Sequence, residues 1–342
     1  MPAVSVINEN EKQAVTLHKV GNFYEVYGEE TKPFITHLKM RGGLKTINNE
    51  KVKMISFPEK YLARFEETLK AQDVTFNMTE DVQENVAENN IEIVDEIKSE
   101  NFNITDNEIG NGTKSEKFKN NIVAIEILKK CQSEKRSATN EEQQSLSKYV
   151  GWGGLDESFE ETNSNYQQLK NILSEDEYNR ARESTLSAFY TQPVVIKSIY
   201  KTLEPLNLQN RTILEPSCGI GNFFGLVPNE MQKNKFTGVE IDNISANIAK
   251  LIYPNVYIQN CGFENTMFDD NQFDVVIGNV PFGQFKVSDK KYDKQNFLIH
   301  DYFFAKAIDK VKPNGVIALI TSKGTLDKQN PQVRKYIAQK AE

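Results

Sequence analysis

The chain has 342 residues, 38% of them hydrophobic and 26% charged, with a net charge of -7, which is room for two ordinary domains. No apolar run approaches the roughly 18 residues of a membrane-spanning helix, and Met1-Pro2-Ala3-Val4 opens no basic-then-apolar leader. Three cysteines (Cys131, Cys218, Cys261) have neither the even count of a disulfide framework nor metal-ligand spacing, so the sequence predicts a reducing, cytoplasmic setting and no metal.

The acidity is local. Residues 80–110 hold ten acids and one lysine, Lys98, while the flanking parts are close to neutral. Net negative charge therefore does not exclude a polyanionic partner for either flank.

In chain order, residues 1–79 read as a small α+β module. Phe23–Tyr27 and Lys51–Phe57 carry strand patterns, and helical runs are expected near Glu29–Met40 and Glu59–Ala71. Residues 80–118 are rich in Asn and Glu with little apolar periodicity, which predicts a disordered acidic linker, or a short helix at Ile91–Ile97. Residues 119–184 turn helical: Ile122, Ile125 and Leu128 space as one buried face, and Asn140-Glu141-Glu142 is a helix start. From 185 to 342 strand-like runs alternate with helix-length segments, at Thr212–Glu215, Phe236–Glu240, Val256–Gln259, Asp274–Gly278 and Gly315–Thr321. That rhythm predicts βα units and a parallel sheet covered on both faces.

Two junctions carry chemistry. The first strand runs into Glu215-Pro216-Ser217-Cys218-Gly219-Ile220-Gly221, where two glycines permit a tight turn and close backbone approach to a ligand. The third glycine of a dinucleotide fingerprint is missing, but the second strand ends in Glu240, an acid placed to accept both hydroxyls of a ribose. The fourth strand ends in Asn279-Val280-Pro281-Phe282-Gly283. An amide oxygen there can accept a hydrogen bond from an exocyclic amine, and a flat ring can stack on a base extruded from a duplex.

Taken in order, Tyr190-Thr191-Gln192-Pro193, Glu215–Phe223, Glu240 and Asn279–Phe282 resemble the motifs of S-adenosylmethionine-dependent DNA adenine-N6 methyltransferases in their gamma arrangement. Lys148–Leu155 (KYVGWGGL), Asn279–Gly283 and Ile299–Phe304 (IHDYFF) are similar to the methylase–helicase fusion proteins of plasmids and conjugative elements. The resemblance implies a Rossmann-like methyltransferase sheet. It also implies a role for each matched residue. Thr191 and Pro193 would border the methionine end of the cofactor, Glu215, Pro216 and the Gly219–Gly221 turn would take its amino-acid part, Glu240 its ribose, and Ile241 would lie on its adenine. Phe263 and Glu264 are either further adenine contacts or plain loop and core. Asn279 and the Val280 carbonyl would accept from the target amine, and Pro281 and Phe282 complete the base pocket. Val280 stands where the commoner pattern has Pro.

At the other end, Val20–Tyr27 with Met54–Pro58 looks like the mismatch-recognition domain of the MutS family over residues 14–78. That likeness places Phe23 against a base and Glu25 in hydrogen-bond reach of it. Lys19, Lys39, Arg41, Lys45, Lys51 and Lys53 are available for phosphates. DNA is the expected partner, with other mobile-element proteins a further possibility. Three features have bland readings. His300-Asp301 reads as helix packing rather than acid–base chemistry, Cys218 as a small residue in a tight turn, and Trp152 as packing of the helical segment onto the core. Five strands are expected where this methyltransferase class has seven, so the last two would be missing and the domain truncated. Two functions follow: an adenine-N6 DNA methyltransferase of a mobile element, or a non-catalytic DNA-binding scaffold that kept the fold. Methylation of a protein glutamine amide is a third, chemically permitted reading.

Overall fold

The computed structural model describes residues 14–20, 23–38, 43–47, 50–72, 74–79, 100–185 and 190–341. The chain divides into two compact units, Met1–Asp95 and Glu96–Glu342.

The first unit is a five-stranded sheet with two short helices. Its elements are β1 (Ala14–Val20), β2 (Phe23–Tyr27), α1 (Lys32–His37), β3 (Gly43–Ile47), β4 (Glu50–Pro58), α2 (Leu62–Lys70) and β5 (Thr75–Thr79). Strand order is β3-β4-β2-β1-β5, antiparallel except for the β1–β5 pair. Val15 and Leu17 of β1, Val26 of β2 and Ile55 and Phe57 of β4 alternate onto one face and bury Phe34 and Leu69 from the helices. The expected strands at Phe23–Tyr27 and Lys51–Phe57 are present. β1, β3 and β5 are not legible in the sequence, because their short runs mix Lys, Thr and Asn with single apolar residues. The helix expected over Glu29–Met40 is a 3₁₀ turn at Gly28–Thr31 followed by α1, with Pro33 in its first turn.

The linker expected over 80–118 is corrected on its C-terminal side; residues 80–99, with the short helix considered there, lie outside the described residues. Residues 100–113 form an extended strap on the second unit. The Phe102 N–H donates to the Ile252 carbonyl (3.0 Å) and the Ile104 N–H to that of Gly225 (2.8 Å). Ile104 is 4% exposed, Ile109 is buried as well, and the Gln143 side-chain amide donates to the carbonyls of Glu100, Leu251 and Ile252. Isolated apolar residues among acids show no periodicity, yet Ile104 and Ile109 join one buried cluster of the second unit, with Phe102 packed against it. The helical region then starts at residue 114.

The second unit continues with α3 (Lys114–Glu134), α4 (Asn140–Leu146), α5 (Tyr166–Ile172), α6 (Glu175–Ser184) and α7 (Pro193–Leu203). Capping boxes start α3 (Thr113 with Glu116), α4 (Thr139 with Glu142) and α6 (Ser174 with Glu177), each satisfying two otherwise orphaned N–H groups. Trp152 is buried edge-on against Phe118, Tyr149 and Phe159. The Asn121 side chain holds its loop, donating to the Gly151 carbonyl and accepting from the Val150 N–H.

The sheet of this unit alternates with helices: β6 (Thr212–Glu215), α8 (Asn222–Gly225), β7 (Lys235–Glu240), α9 (Asn243–Ile252), β8 (Tyr257–Asn260), β9 (Phe273–Asn279), α10 (Ile299–Lys310), β10 (Val311–Ile320), α11 (Gly324–Asp327) and α12 (Gln332–Ala338). All five strands are parallel, in the order β10-β9-β6-β7-β8. The runs Ile213–Leu214 and Val275–Ile277 are fully buried, as expected of strands covered on both faces. This is the Rossmann-like parallel sheet that the alternation predicts. Strand order reverses between β6 and β9, and the crevice at their carboxyl ends is the ligand position of such sheets. Among the described residues no helix is long and apolar enough to cross a membrane.

The strap leaves no room at Gly225. A Cβ added there would collide with the Tyr253 hydroxyl and come within 2.6 Å of Ile104 Cγ1. Gly225→Ala is therefore expected to lower unfolding stability by about 1–3 kcal/mol. Urea titration followed by fluorescence of Trp152, the only tryptophan, reads it; an unchanged midpoint would mean that the strap yields freely.

Candidate cofactor and base pocket

Four strand ends meet at the crevice: Glu215 of β6, Glu240 of β7, Asn260 of β8 and Asn279 of β9. The loop after β6 turns twice in the left-handed region, at Gly219 (φ 56°) and Gly221 (φ 87°). The Gly221 N–H donates to the Cys218 carbonyl (2.8 Å), and the Cys218 N–H to that of Val239 on β7 (2.9 Å). A Cβ at Gly219 would stand 2.7 Å from Cε1 of Tyr190. Only glycine lets the loop pass beneath that ring.

Glu240 organises this corner. Its Oε2 accepts the Gly219 N–H (2.8 Å) and its Oε1 the Asp242 N–H (2.7 Å), so one side chain joins the glycine loop to the start of α9. Burial lifts its carboxyl to about 7, against those N–H bonds, which favour the charged form. Glu215 lies deeper, 2% exposed, and its Oε2 has no partner among the described residues. Its carboxyl is pushed well above the ordinary value, by burial first and by Glu240 second. A neutral carboxyl can both donate and accept one hydrogen bond.

Four residues to which the sequence assigned no role complete this side. The Asn260 amide donates to the Glu240 carbonyl (2.8 Å) and fixes the strand end. The Tyr190 hydroxyl lies 3.0 Å from Ser245 Oγ, which donates to Asp242 Oδ2 (2.6 Å). This relay pins the segment containing Thr191 and Pro193 to α9. Asp242 also caps α9 through the Ser245 N–H, and an Asp just before a helical run is the one sequence signal that could have pointed to it.

On the base side, the main chain of Asn279 is held twice. Its carbonyl accepts from Ser217 Oγ (2.6 Å), and the next N–H, of Val280, donates to the Ile320 carbonyl (3.1 Å). Its side-chain Oδ1 is buried with no partner among the described residues. Phe282 is 42% exposed at the rim, and Ile241 is 65% exposed beside Glu240. Pro193 and Pro216 are buried in the walls, and Thr191 is half-buried. A Cβ added at Gly278 (φ 147°) would stand 3.1 Å from Glu215 Cγ, so β9 and β6 approach closely here.

Phe263 is placed differently from the adenine-contact reading. Its ring is 1% exposed, packed on Phe303 (centroids 5.1 Å) and Tyr302 (6.3 Å), with the Lys306 ammonium over it. The neighbouring α10 covers it, so it belongs to the core; Glu264 remains half-buried, accepting from the Asn265 amide. His300 and Asp301 are buried on α10. His300 Nε2 lies 3.7 Å from Asp301 Oδ1, and Asp301 pairs more closely with Lys328. Burial lowers the His300 pKa, which suits a neutral packing residue.

In the first unit, the Phe23 backbone pairs with Val20 and Pro58, and Glu25 lies opposite His18 and Ser56. The Glu25 carboxylate accepts from the Tyr27 hydroxyl. Lys19 pairs with Glu59 (2.9 Å), and Lys53 is exposed. Lys39 and Arg41 lie outside the described residues, as do the side chains of Lys45 and Lys51.

Residues 230–342 match the family described as Eco57I restriction-modification methylase, and residues 1–111 match MutS domain I. The chain is 26% identical over 210 residues to a "Defense against restriction protein B" of Escherichia phage P1, which covers 60% of this chain and 8% of that protein. It is 22% identical over 163 residues to the modification methylase CviBIII of Paramecium bursaria Chlorella virus NC1A, covering 46% of this chain and 43% of that one. The chain thus spans less than half the length of either relative. A modification subunit of a putative type I restriction enzyme from Vibrio vulnificus YJ016 superposes with a TM-score of 0.36 at 17% identity, over 51% of this chain and 46% of that one. The chain is similar to S-adenosylmethionine-dependent DNA methyltransferases, with a MutS-like N-terminal module.

S-adenosylmethionine is the cofactor that these residues fit. The glycine cradle admits no Cβ at Gly219, Glu215 holds a buried orphan oxygen, and Ile241 offers an exposed apolar face beside the Glu240 carboxylate. In the ribose contact expected for Glu240, only the ionised form could accept both hydroxyls while keeping its backbone N–H bonds. Its proton must leave as pH rises through about 7, so cofactor affinity is expected to increase roughly tenfold between pH 6 and 8. Calorimetric titration should show that rise and its loss in Glu240→Gln; a flat wild-type profile would remove Glu240 from the ribose.

Proposed function

We propose that the chain transfers a methyl group to the N6 amine of an adenine turned out of DNA, as a modification activity carried by a mobile element. The observation that supports this best is the buried Oδ1 of Asn279, which has no partner among the described residues. Leaving such an acceptor unpaired costs about 1–3 kcal/mol, and a target amine would offset it. S-adenosylmethionine, when bound, supplies an electrophilic sulfonium methyl.

The chain's own residues do the rest. Asn279 Oδ1 and the Val280 carbonyl accept the two amine hydrogens, which raises electron density on the nitrogen and aims its lone pair. Val280 in place of Pro preserves this role, since its carbonyl rather than its side chain acts. Ser217 and the Ile320 carbonyl hold the two residues' main chain, so the acceptors are preorganised. Phe282 stacks on the base and excludes water from one face. Thr191, Pro193, Glu215, Pro216, Gly219 and Gly221 line the methionine side, with Glu240 and Ile241 on the nucleoside and Glu264 near its base.

The similarity to a phage protein named for defence against restriction, and to a viral modification methylase, supports the mobile-element reading. The MutS-like match supports a DNA-contacting role for the first unit, with base contact assigned to Phe23 and Glu25 and phosphate contact to Lys53.

Asn279→Ala is expected to reduce methyl transfer to below about one-hundredth while leaving cofactor affinity within about twofold. Transfer of tritiated methyl to plasmid DNA from a host without adenine methylation, followed by nucleoside analysis, tests both the base and the residue. Cofactor binding without transfer to any DNA would favour a scaffold that kept the fold, and loss of affinity in the variant would displace Asn279 from the base side.

A further inference from the structure

The loop after the base pocket, residues 283–298, is unusually well fixed for a surface segment. The Phe285 carbonyl accepts from the Ile299 N–H at the start of α10 (2.9 Å). Asp289 accepts from the Tyr302 hydroxyl (2.8 Å) and pairs with Lys306 (3.1 Å), itself 3% exposed. Lys291 pairs with the buried Asp309 (2.8 Å), which also accepts from the Tyr292 hydroxyl (2.8 Å). Two ion pairs, each anchored on a buried residue of α10, and their phenols therefore clamp the loop to that helix.

What this clamp presents is a bare aromatic ring. Phe285 is 51% exposed, although it folds back over Gly283, where any Cβ would collide with it. Its ring thus lies against the residue that follows Phe282, and both rings are exposed just beyond the carboxyl end of β9. One ring suffices to stack on an extruded base. Extrusion, however, also leaves a gap in the duplex, with an unstacked partner base, and costs a few kcal/mol. Proteins that kink or open duplexes commonly fill such gaps with an apolar wedge. A wedge works only if its own freedom is already spent, which is what the clamped loop provides.

We propose that Phe285 is the wedge that enters the duplex stack as the target base leaves it, while Phe282 receives that base. This rests on the DNA-methyltransferase reading above and adds to it the residue that separates the strands.

The test compares two duplexes carrying the site that plasmid methylation identifies. One has the target base paired; the other has an abasic position opposite it, so that extrusion is already cheap. Phe285→Ala is expected to slow methyl transfer roughly tenfold on the paired duplex and by less than about twofold on the abasic one. Phe285→Leu should recover part of the loss, and Phe282→Ala should be slow on both. With 2-aminopurine at the target position, the fluorescence gain on binding should fall in Phe285→Ala without any turnover being needed. Equal losses on both duplexes, or no loss on the paired one, would overturn the wedge while leaving the methyltransferase reading intact. A wild-type chain that binds cofactor and methylates neither duplex would overturn that reading and the wedge with it.

Discussion

The carboxylate of Glu240 is the interaction on which the second unit's site depends. It gathers the N–H groups of Gly219 and Asp242, and so ties the loop after the first strand of the sheet to the helix after the second. The contact to Gly219 is available only because β6 and β7 are neighbours in parallel register, with Glu215 opposite Gly238. Burial makes the arrangement costly for a charge, and the N–H groups offset that cost in part. The result is a carboxyl poised close to neutrality, responsive to whatever hydroxyls approach it.

Around that corner the unit holds several polar groups with unfilled hydrogen-bonding capacity, Glu215 Oε2 and Asn279 Oδ1 among them. Both lie where the strand order reverses, the one place in an open parallel sheet where loops diverge and leave a crevice. Packing elsewhere is conventional. The helical lead-in is capped by three reciprocal boxes and sealed by Trp152, and it reaches the crevice through Tyr149, whose ring meets Tyr190 edge-on. The strap at 100–113 meets α8, the helix that follows the glycine loop, through Ile104 on Gly225. The glycine loop, under Tyr190, and the helix after it are thus each met by a segment earlier in the chain.

Much of this could be read from residue order. β6, β7, β8 and β9 lie within a residue or so of the runs expected at Thr212–Glu215, Phe236–Glu240, Val256–Gln259 and Asp274–Gly278. Those strands are short and bounded by Gly, Pro or Asn, and in β6 and β9 the apolar pattern and the final burial agree. β10 is harder: it begins at Val311 rather than Gly315, with an irregularity before Val316 where Pro313 and Gly315 interrupt the pairing. In the first unit, β1 and β5 are strands because each other's edge and β2 are there to pair with, which no local window can reveal.

Residue order alone accounts for the alternation of strand and helix, the two glycines of the loop, and the acid and amide at the strand ends, because backbone turns and strand termini answer to the residues that occupy them. Which rings are covered and which are bare is a matter of tertiary packing. Phe263 and Phe285 are the same residue type in similar loop settings. One is enclosed by Tyr302, Phe303 and Lys306, and the other is held out at 51% exposure by a loop clamped beneath it. Burial is set by what other segments lay over a residue. That depends on long-range packing of α10, and no local pattern around either phenylalanine encodes it.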